Sequence, residues 1–451
     1  MGGLTSCSNE NDVQMEQSGS EKGVPTAMTL TIDMKGVSTR ANQSTLDPAD
    51  FTTADETALK TLDVYIYDTK TGILDHYHPL VDTDLTNANG VYTTKALTAF
   101  TGDKKVYVGL NLTDNMKAVM EKSTLQVLET SAVTEELAKM TSTQNGFSMF
   151  CPDGVAKTFV EATEAEAVNN KVQISVERMV AKIGIGAKAA PAQLGAAGTL
   201  GALQFVIDNM GRKFYMPYTE TDPSMTADAW VQADFVNYDF NIDGNPVGAP
   251  TATWLDVVQA TDQTTWETAY STENYVNDNK LKGMTRVVVR ATFIPDVALT
   301  YTLDDTGALT PAAAAITANK DYYQLDVPGD NKFVFLSALP NQVGVEAYYK
   351  AVTGADYAVA GGNIMDDCVK TYTGGYHYWW VTMAEKGQEG NVERNHVYLA
   401  NIKNISLPGR PDGEFDPEKD KDDELDKETN IEVEVTVLDW YMVEFDADLK
   451  P

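Results

Sequence analysis

The sequence predicts a mainly β protein built from two consecutive β-sandwich domains with short helices and long loops, and three observations carry that prediction. Thr, Val and Tyr, the last present 21 times, recur in short alternating runs, which is the composition of strands. A chain of 451 residues suffices for two or three domains, each burying its own core. No repeat at a period of about 20–50 residues is visible, which excludes solenoids and propellers. Hydrophobic residues at 43% against charged residues at 22% mean that most of the chain folds.

Taken in order, the chain opens with Leu4-Thr5-Ser6-Cys7, the order of a lipobox: an aliphatic residue, two small residues, then the thiol that receives lipid. The polar stretch behind Cys7 reads as a tether that does not fold by itself. The basic and long apolar parts of a signal peptide do not stand before Gly2, so a late start or a trimmed chain is expected. Met28, Leu30, Ile32 and Met34 then alternate with Thr29, Thr31 and Asp33, the period of a half-buried strand. A polar loop, Gly36 to Thr45, follows, and Arg40 is its one basic residue.

Strands are expected at Leu62–Tyr67, after the Asn89-Gly90 turn, and at Lys105–Leu112. A helix capped by Asp114 presents Met116, Val119 and Met120 on one face, and a second helix is expected over Ala132–Met140. Val172, Ile174 and Val176 lead into a strand at Arg178–Ile183. The Ala- and Gly-rich stretch Gly186–Gly201 reads as a domain boundary. Later strands are expected at Leu203–Ile207, Arg286–Phe293, Val297–Leu303, Tyr322–Val327, Phe333–Leu336, Tyr376–Val381 and His396–Ile405. Pro411–Asn430 reads as a charged linker, and Ile431, Val433, Val435 and Val437 then alternate with Glu432, Glu434 and Thr436 as a strongly β-forming tail extended through Trp440. The expected organisation is 1–40 as lipobox, tether and first strand, 41–188 and 189–410 as sandwiches, and 411–451 as linker and tail.

Lys plus Arg at 34 against Asp plus Glu at 66 leave a net charge of −32, which opposes nucleic-acid binding. Among chemistry-bearing residues, bland readings prevail. Asp239-x-Asn241-x-Asp243-Gly244 begins like a calcium loop, but Pro250 stands where a bidentate Glu is needed. His76 and His78 share a strand face without a third ligand, so no metal or cofactor is expected. His377 and His396 read as sandwich residues. Trp379-Trp380 reads as packing in preference to a sugar platform. Cys151 and Cys368 read as buried hydrophobes, with pairing left open. No nucleophile or phosphate motif is found, so the chain does not read as an enzyme.

These pieces, in this order, resemble the fimbrillins of Bacteroidia, and in particular the major (shaft) subunits of protease-assembled type V pili of the short, or minor, fimbrium type. The resemblance rests on Leu4–Cys7, on Met28–Arg40, and on Glu177–Ile183 as the strand that closes the first domain. It rests also on Tyr376–Trp380 with Val392–Tyr398 as a late strand pair, and on the tail Val433–Trp440. It implies transthyretin-like sandwiches and a precursor lipidated at Cys7 and held at the outer membrane. A trypsin-like Arg-specific protease cuts between Arg40 and Ala41, with Lys35 as a fallback, and removes the strand of Met28, Leu30, Ile32 and Met34. The groove so opened accepts the tail (Ile431, Val433, Val435, Val437, Trp440) of another copy, giving a head-to-tail fibre with anchor and tip pilins as further partners. Adhesion and biofilm formation are the roles implied. The competing reading is a monomeric surface lipoprotein that binds glycans or host proteins, with its tail folded into its own sheet.

Overall fold

The computed structural model describes residues 23–33, 46–88, 91–208, 210–211, 213–217, 238–239, 254–274, 285–359, 361–383, 392–411 and 431–440. The fold is mainly β, in several sheets with a few short helices.

The first half is built on a six-stranded sheet. Thr61–Asp68 lies between Leu74–Val81 and Gly102–Leu110, and Met149–Phe150, Val155–Phe159 and Glu177–Arg178 extend it. A four-stranded sheet of Val172–Ser175, Leu30–Asp33, Val91–Thr94 and Leu85–Ala88 packs with it around one core. Thr113, not Asp114, caps the first helix, its hydroxyl accepting from the Met116 amide at 3.3 Å. Met116 and Met120 are buried under that helix. The expected helix over Ala132–Met140 is corrected: Ala132–Thr134 is a strand and only Leu137–Met140 is helical, in keeping with the β-branched Val133 and Thr134. A helix at Leu125–Thr130 precedes them.

The second half holds a sheet in which Val180–Ala187 runs parallel to His396–Leu407 and antiparallel to Thr268–Thr272. The strand read as closing the first domain is therefore divided. Glu177–Arg178 stays in the first sheet, while Val180–Ala187 is buried along its whole length inside the second. Gly186–Gly201 contains strands Ala192–Gly195 and Gly198–Leu200 and is not a bare linker. Facing this sheet is another, in which Arg286–Pro295 is flanked by Gln204–Asp208 and Tyr376–Thr382. Tyr376–Thr382 and His396–Leu407 thus lie in different sheets and are not a pair.

The His396–Leu407 sheet is a partition between two cores. Val397, Leu399 and Val180 join the first core, whereas Tyr398, Ala400, Ile402, Ala181 and Ile183 join the second. Burial on both faces explains why these strands read as unbroken apolar runs. A third, smaller core sits under a five-stranded sheet, between Tyr322–Leu325, Val334–Leu336 and the helix Gln342–Thr353. That helix carries no strand-like signal in the sequence. Asn341 caps its start, accepting from the Gly344 amide at 2.8 Å, and Gly354 ends it at φ 75°.

Candidate assembly site

The alternating segment near the amino terminus is a buried strand in two parts. Pro25–Met28 pairs antiparallel with Leu97–Phe100. At Thr29 the chain changes sheet, and Leu30–Asp33 then lies between Val172–Ser175, parallel to it, and Val91–Thr94, antiparallel. The Thr29 carbonyl accepts from the Val172 amide at 2.9 Å and the Leu30 amide donates to Thr94 Oγ1 at 3.0 Å. Met28, Leu30 and Ile32 are each 0% exposed. The strand is thus an interior element of the first half and not a covering edge. Met34, Lys35, Arg40, Ala41 and Cys7 lie outside the described residues.

The tail is a strand, Ile431–Asp439, antiparallel to His396–Leu407 from Ile405 opposite Ile431 to His396 opposite Asp439. A register shift between Ile402 and Asn404 interrupts the ladder at Lys403. Ile431, Val433 and Val435 pack on the second core; Val437 is paired with Tyr398. Leu438 and Trp440 point the other way, into the first core. Glu434 reaches Lys403 at 3.1 Å, and that ammonium lowers the carboxyl's proton affinity. Among the described residues no strand pairs with the tail's other edge, so a single ladder holds the tail in its sheet.

Trp440 ends the tail in a buried junction between the two halves. Its ring lies 4.3 Å from the Arg178 guanidinium carbon and stacks on Tyr270 at 6.0 Å with 7° between planes. Its Nε1 donates to Thr52 Oγ1 at 3.1 Å, and its carbonyl accepts from Arg178 Nη1 at 2.9 Å. Lys182 Nζ, just behind, donates to the Phe51 carbonyl at 2.6 Å and to Glu56 Oε1 at 2.8 Å. Tyr270 donates to the same carboxylate, and Arg178 Nε to the Glu56 carbonyl at 3.1 Å. Burial pushes the Arg178 guanidinium down to about 9, against the pull of Glu56. A buried ion pair of this kind stabilises little by itself, but it fixes one geometry for the tail's end.

The remaining candidates are packed. His76 and His78 stack at 5.8 Å, His76 lies against Phe100, and His78 Nε2 bonds the Thr98 carbonyl at 2.8 Å. Among the described residues no group of three or more His, Cys, Asp or Glu side chains is placed to hold a metal ion. His377 is buried with Nδ1 accepting from the Gly409 amide at 2.9 Å, which leaves the proton on Nε2, against the Tyr322 hydroxyl. Its ring stacks on Tyr372 at 3.9 Å, and burial holds its pKa down at about 3. His396 Nδ1 lies 2.7 Å from the Arg394 carbonyl. Cys151 and Cys368 are free and buried, which closes the question of their pairing. Trp379 fills the second core and Trp380 points to the opposite face, beneath Arg410 at 3.9 Å, so the two rings form no common platform. Asp239 pairs across a short ladder with Met210; Asn241, Asp243 and Gly244 lie outside the described residues.

Sequence reasoning missed Asn170 and Glu56, both 0% exposed. Each is an isolated polar residue whose role depends on partners far along the chain, so no local pattern marks it. No helix among the described residues is long and apolar enough to cross a membrane.

Comparison with known proteins adds a likeness over the carboxy-terminal part of the chain. Residues 370–446 match the model described as "Major fimbrial subunit protein type IV, Fimbrillin, C-terminal". No curated protein sequence matches. Among solved structures, the chain is similar to a fimbrilin from Porphyromonas gingivalis, with 13% identity, 94% of this chain and 99% of the other covered, and a TM-score of 0.46. It is similar also to a tip fimbrial protein from the same organism, carrying a carboxy-terminal truncation, with 13% identity, 92% and 100% coverage and a TM-score of 0.41. The matched segment runs from the Val369–Tyr372 strand through the tail, so the likeness to the fimbrillins lies in the carboxy-terminal part of the chain.

Proposed function

We propose that this chain is the shaft subunit of a surface fimbria, exported as a lipoprotein through Cys7, cleaved after Arg40, and polymerised by donor-strand exchange in support of adhesion and biofilm formation. The observation that carries the reading is the interior strand Leu30–Asp33, held between two neighbours with Met28, Leu30 and Ile32 wholly buried. Its removal uncovers three large apolar side-chain sites, about 4–9 kcal/mol of hydrophobic driving force at about 1.5–3 kcal/mol each. It also leaves the facing edges of Val172–Ser175 and Val91–Thr94 unpaired, and an added strand satisfies both. The tail, an edge strand with apolar residues toward both cores, has the chemistry to fill that place. The chain therefore both accepts and donates, as a shaft subunit does. Its partners are other copies, anchor and tip pilins and an Arg-specific protease, first at the outer membrane and then in the extracellular fibre.

A second reading is favoured by one observation: the tail is already paired with its own His396–Leu407 strand over nine residues. On that reading the chain is a monomeric surface lipoprotein that binds glycans or host proteins. Limited cleavage by a trypsin-like protease, followed by negative-stain microscopy, separates the two. Fibres support the pilin; a cleaved chain that stays monomeric at high concentration supports the binder.

A further inference from the structure

One buried side chain holds the first strand by reading its backbone and its sequence together. Asn170, at the end of the 3-10 turn Glu164–Asn170, donates through Nδ2 to the Thr26 hydroxyl at 3.1 Å, the Ala27 carbonyl at 2.9 Å and the Val160 carbonyl at 2.8 Å. Its Oδ1 accepts from the Val160 amide at 2.9 Å, and Thr26 Oγ1 donates to the Val160 carbonyl at 2.7 Å. If the first strand leaves, the amide exchanges two acceptors for water, and a replacement strand that buries Asn170 again is selected for restoring them. The requirement is specific: a hydroxyl, a carbonyl one residue on, and apolar side chains at every second position thereafter.

The tail meets it. Thr429-Asn430-Ile431-Glu432-Val433-Glu434-Val435-Thr436-Val437 follows Thr26-Ala27-Met28-Thr29-Leu30-Thr31-Ile32-Asp33-Met34 position by position, with a hydroxyl first and four apolar residues alternating with polar ones. We infer that Asn170 sets the register of the acceptor groove for the tail of a second copy, with Thr429 in the place of Thr26 and Ile431, Val433 and Val435 in the places of Met28, Leu30 and Ile32. The inference rests on the strand-exchange reading and adds to it a residue-by-residue correspondence. A slip of two residues brings Lys427 or Ile431 over Asn170, and neither side chain has an acceptor to offer. Because Thr31 is paired with Thr93, the register sets Glu434 of one copy opposite Thr93 of the next.

The test uses the full chain, cleaved at Arg40, carrying Thr93→Cys with Glu434→Cys, and oxidised after assembly. Covalent ladders are expected from this pair and not from Thr93→Cys with Glu432→Cys or with Thr436→Cys. In parallel, Thr429→Ser should assemble at the wild-type rate and Thr429→Val about tenfold more slowly, since the latter leaves the Asn170 amide short of an acceptor. Thr429 lies outside the first strand, so these variants leave the Thr26–Asn170 contacts of the uncleaved chain intact. Fibres that cross-link in a shifted register, or Thr429→Val assembling at the wild-type rate, overturn the register assignment while leaving strand exchange standing. A wild-type chain that forms no fibre after cleavage overturns both.

Discussion

Trp440→Ala tests how the tail is held in its own sheet. The indole is 1% exposed, lies 4.3 Å from the Arg178 guanidinium carbon and donates to Thr52. Truncating a buried Trp to Ala costs about 3–5 kcal/mol, and a desolvated cation–π contact of about 2 kcal/mol is part of that loss. Among the described residues the tail is an edge strand with one partner, so the cost falls on its local opening before it reaches the rest of the fold. At about 1.4 kcal/mol per decade, the open population of the tail should rise between about a hundredfold and a few thousandfold. Native-state hydrogen exchange read by mass spectrometry on the full chain measures this. Amides of Ile431–Leu438 should lose protection by that factor while those of Thr61–Asp68 keep theirs, and Trp440→Phe should fall between. Equal loss in both strands would mean that the tail does not open separately. Unchanged tail protection would mean that Trp440 is not the anchor.

Other consequences can be checked as directly. Arg40→Ala should keep Met28, Leu30 and Ile32 in place and hold the subunit monomeric in the presence of protease, whereas amino-terminal sequencing of wild-type fibres should begin at Ala41; mature subunits that retain residues before Arg40 contradict the cleavage site. Cys7→Ser should abolish lipid labelling and surface fibres, and normal fibres from that variant would remove the lipoprotein route. His377, held neutral with a pKa of about 3 against an ordinary value of 6.5, binds its proton more weakly in the folded state than in the unfolded one. Its contribution is complete above pH about 6.5 and is lost toward pH about 3, at about 1.4 kcal/mol per unit. Urea midpoints of His377→Gln should therefore fall less steeply than wild type across that range, and parallel curves would refute the assignment.

The two strands that matter most were readable in the chain because a period of two survives wherever one face is buried. Met28-x-Leu30-x-Ile32 and Ile431-x-Val433-x-Val435 each carry that signal, and each is a strand packed on a core. Val180–Ala187 and His396–Leu407 were also legible as strands, but, buried on both faces, they have no polar side to reveal which sheet they join. Their parallel pairing links segments far apart in the chain, and no local preference encodes that. The helix Gln342–Thr353, with its cap Asn341 and its stop Gly354, was not read from the sequence, which was given no element between Phe333–Leu336 and Tyr376–Val381.

By itself the sequence determined the β composition, the alternation of both terminal strands, the acidic surface, and the pairing of a hydroxyl with an apolar stripe at each end of the chain. Tertiary structure alone decided that the first strand changes sheet at Thr29, that the tail's odd and even residues serve different cores, and that Arg178, Glu56, Lys182 and Trp440 converge. The physical reason is the range of the interactions. Period and turn chemistry act over a few residues and are written locally. Which buried polar group meets which partner is settled only when distant segments exclude water together, as Asn170 and Thr26 do across 144 positions.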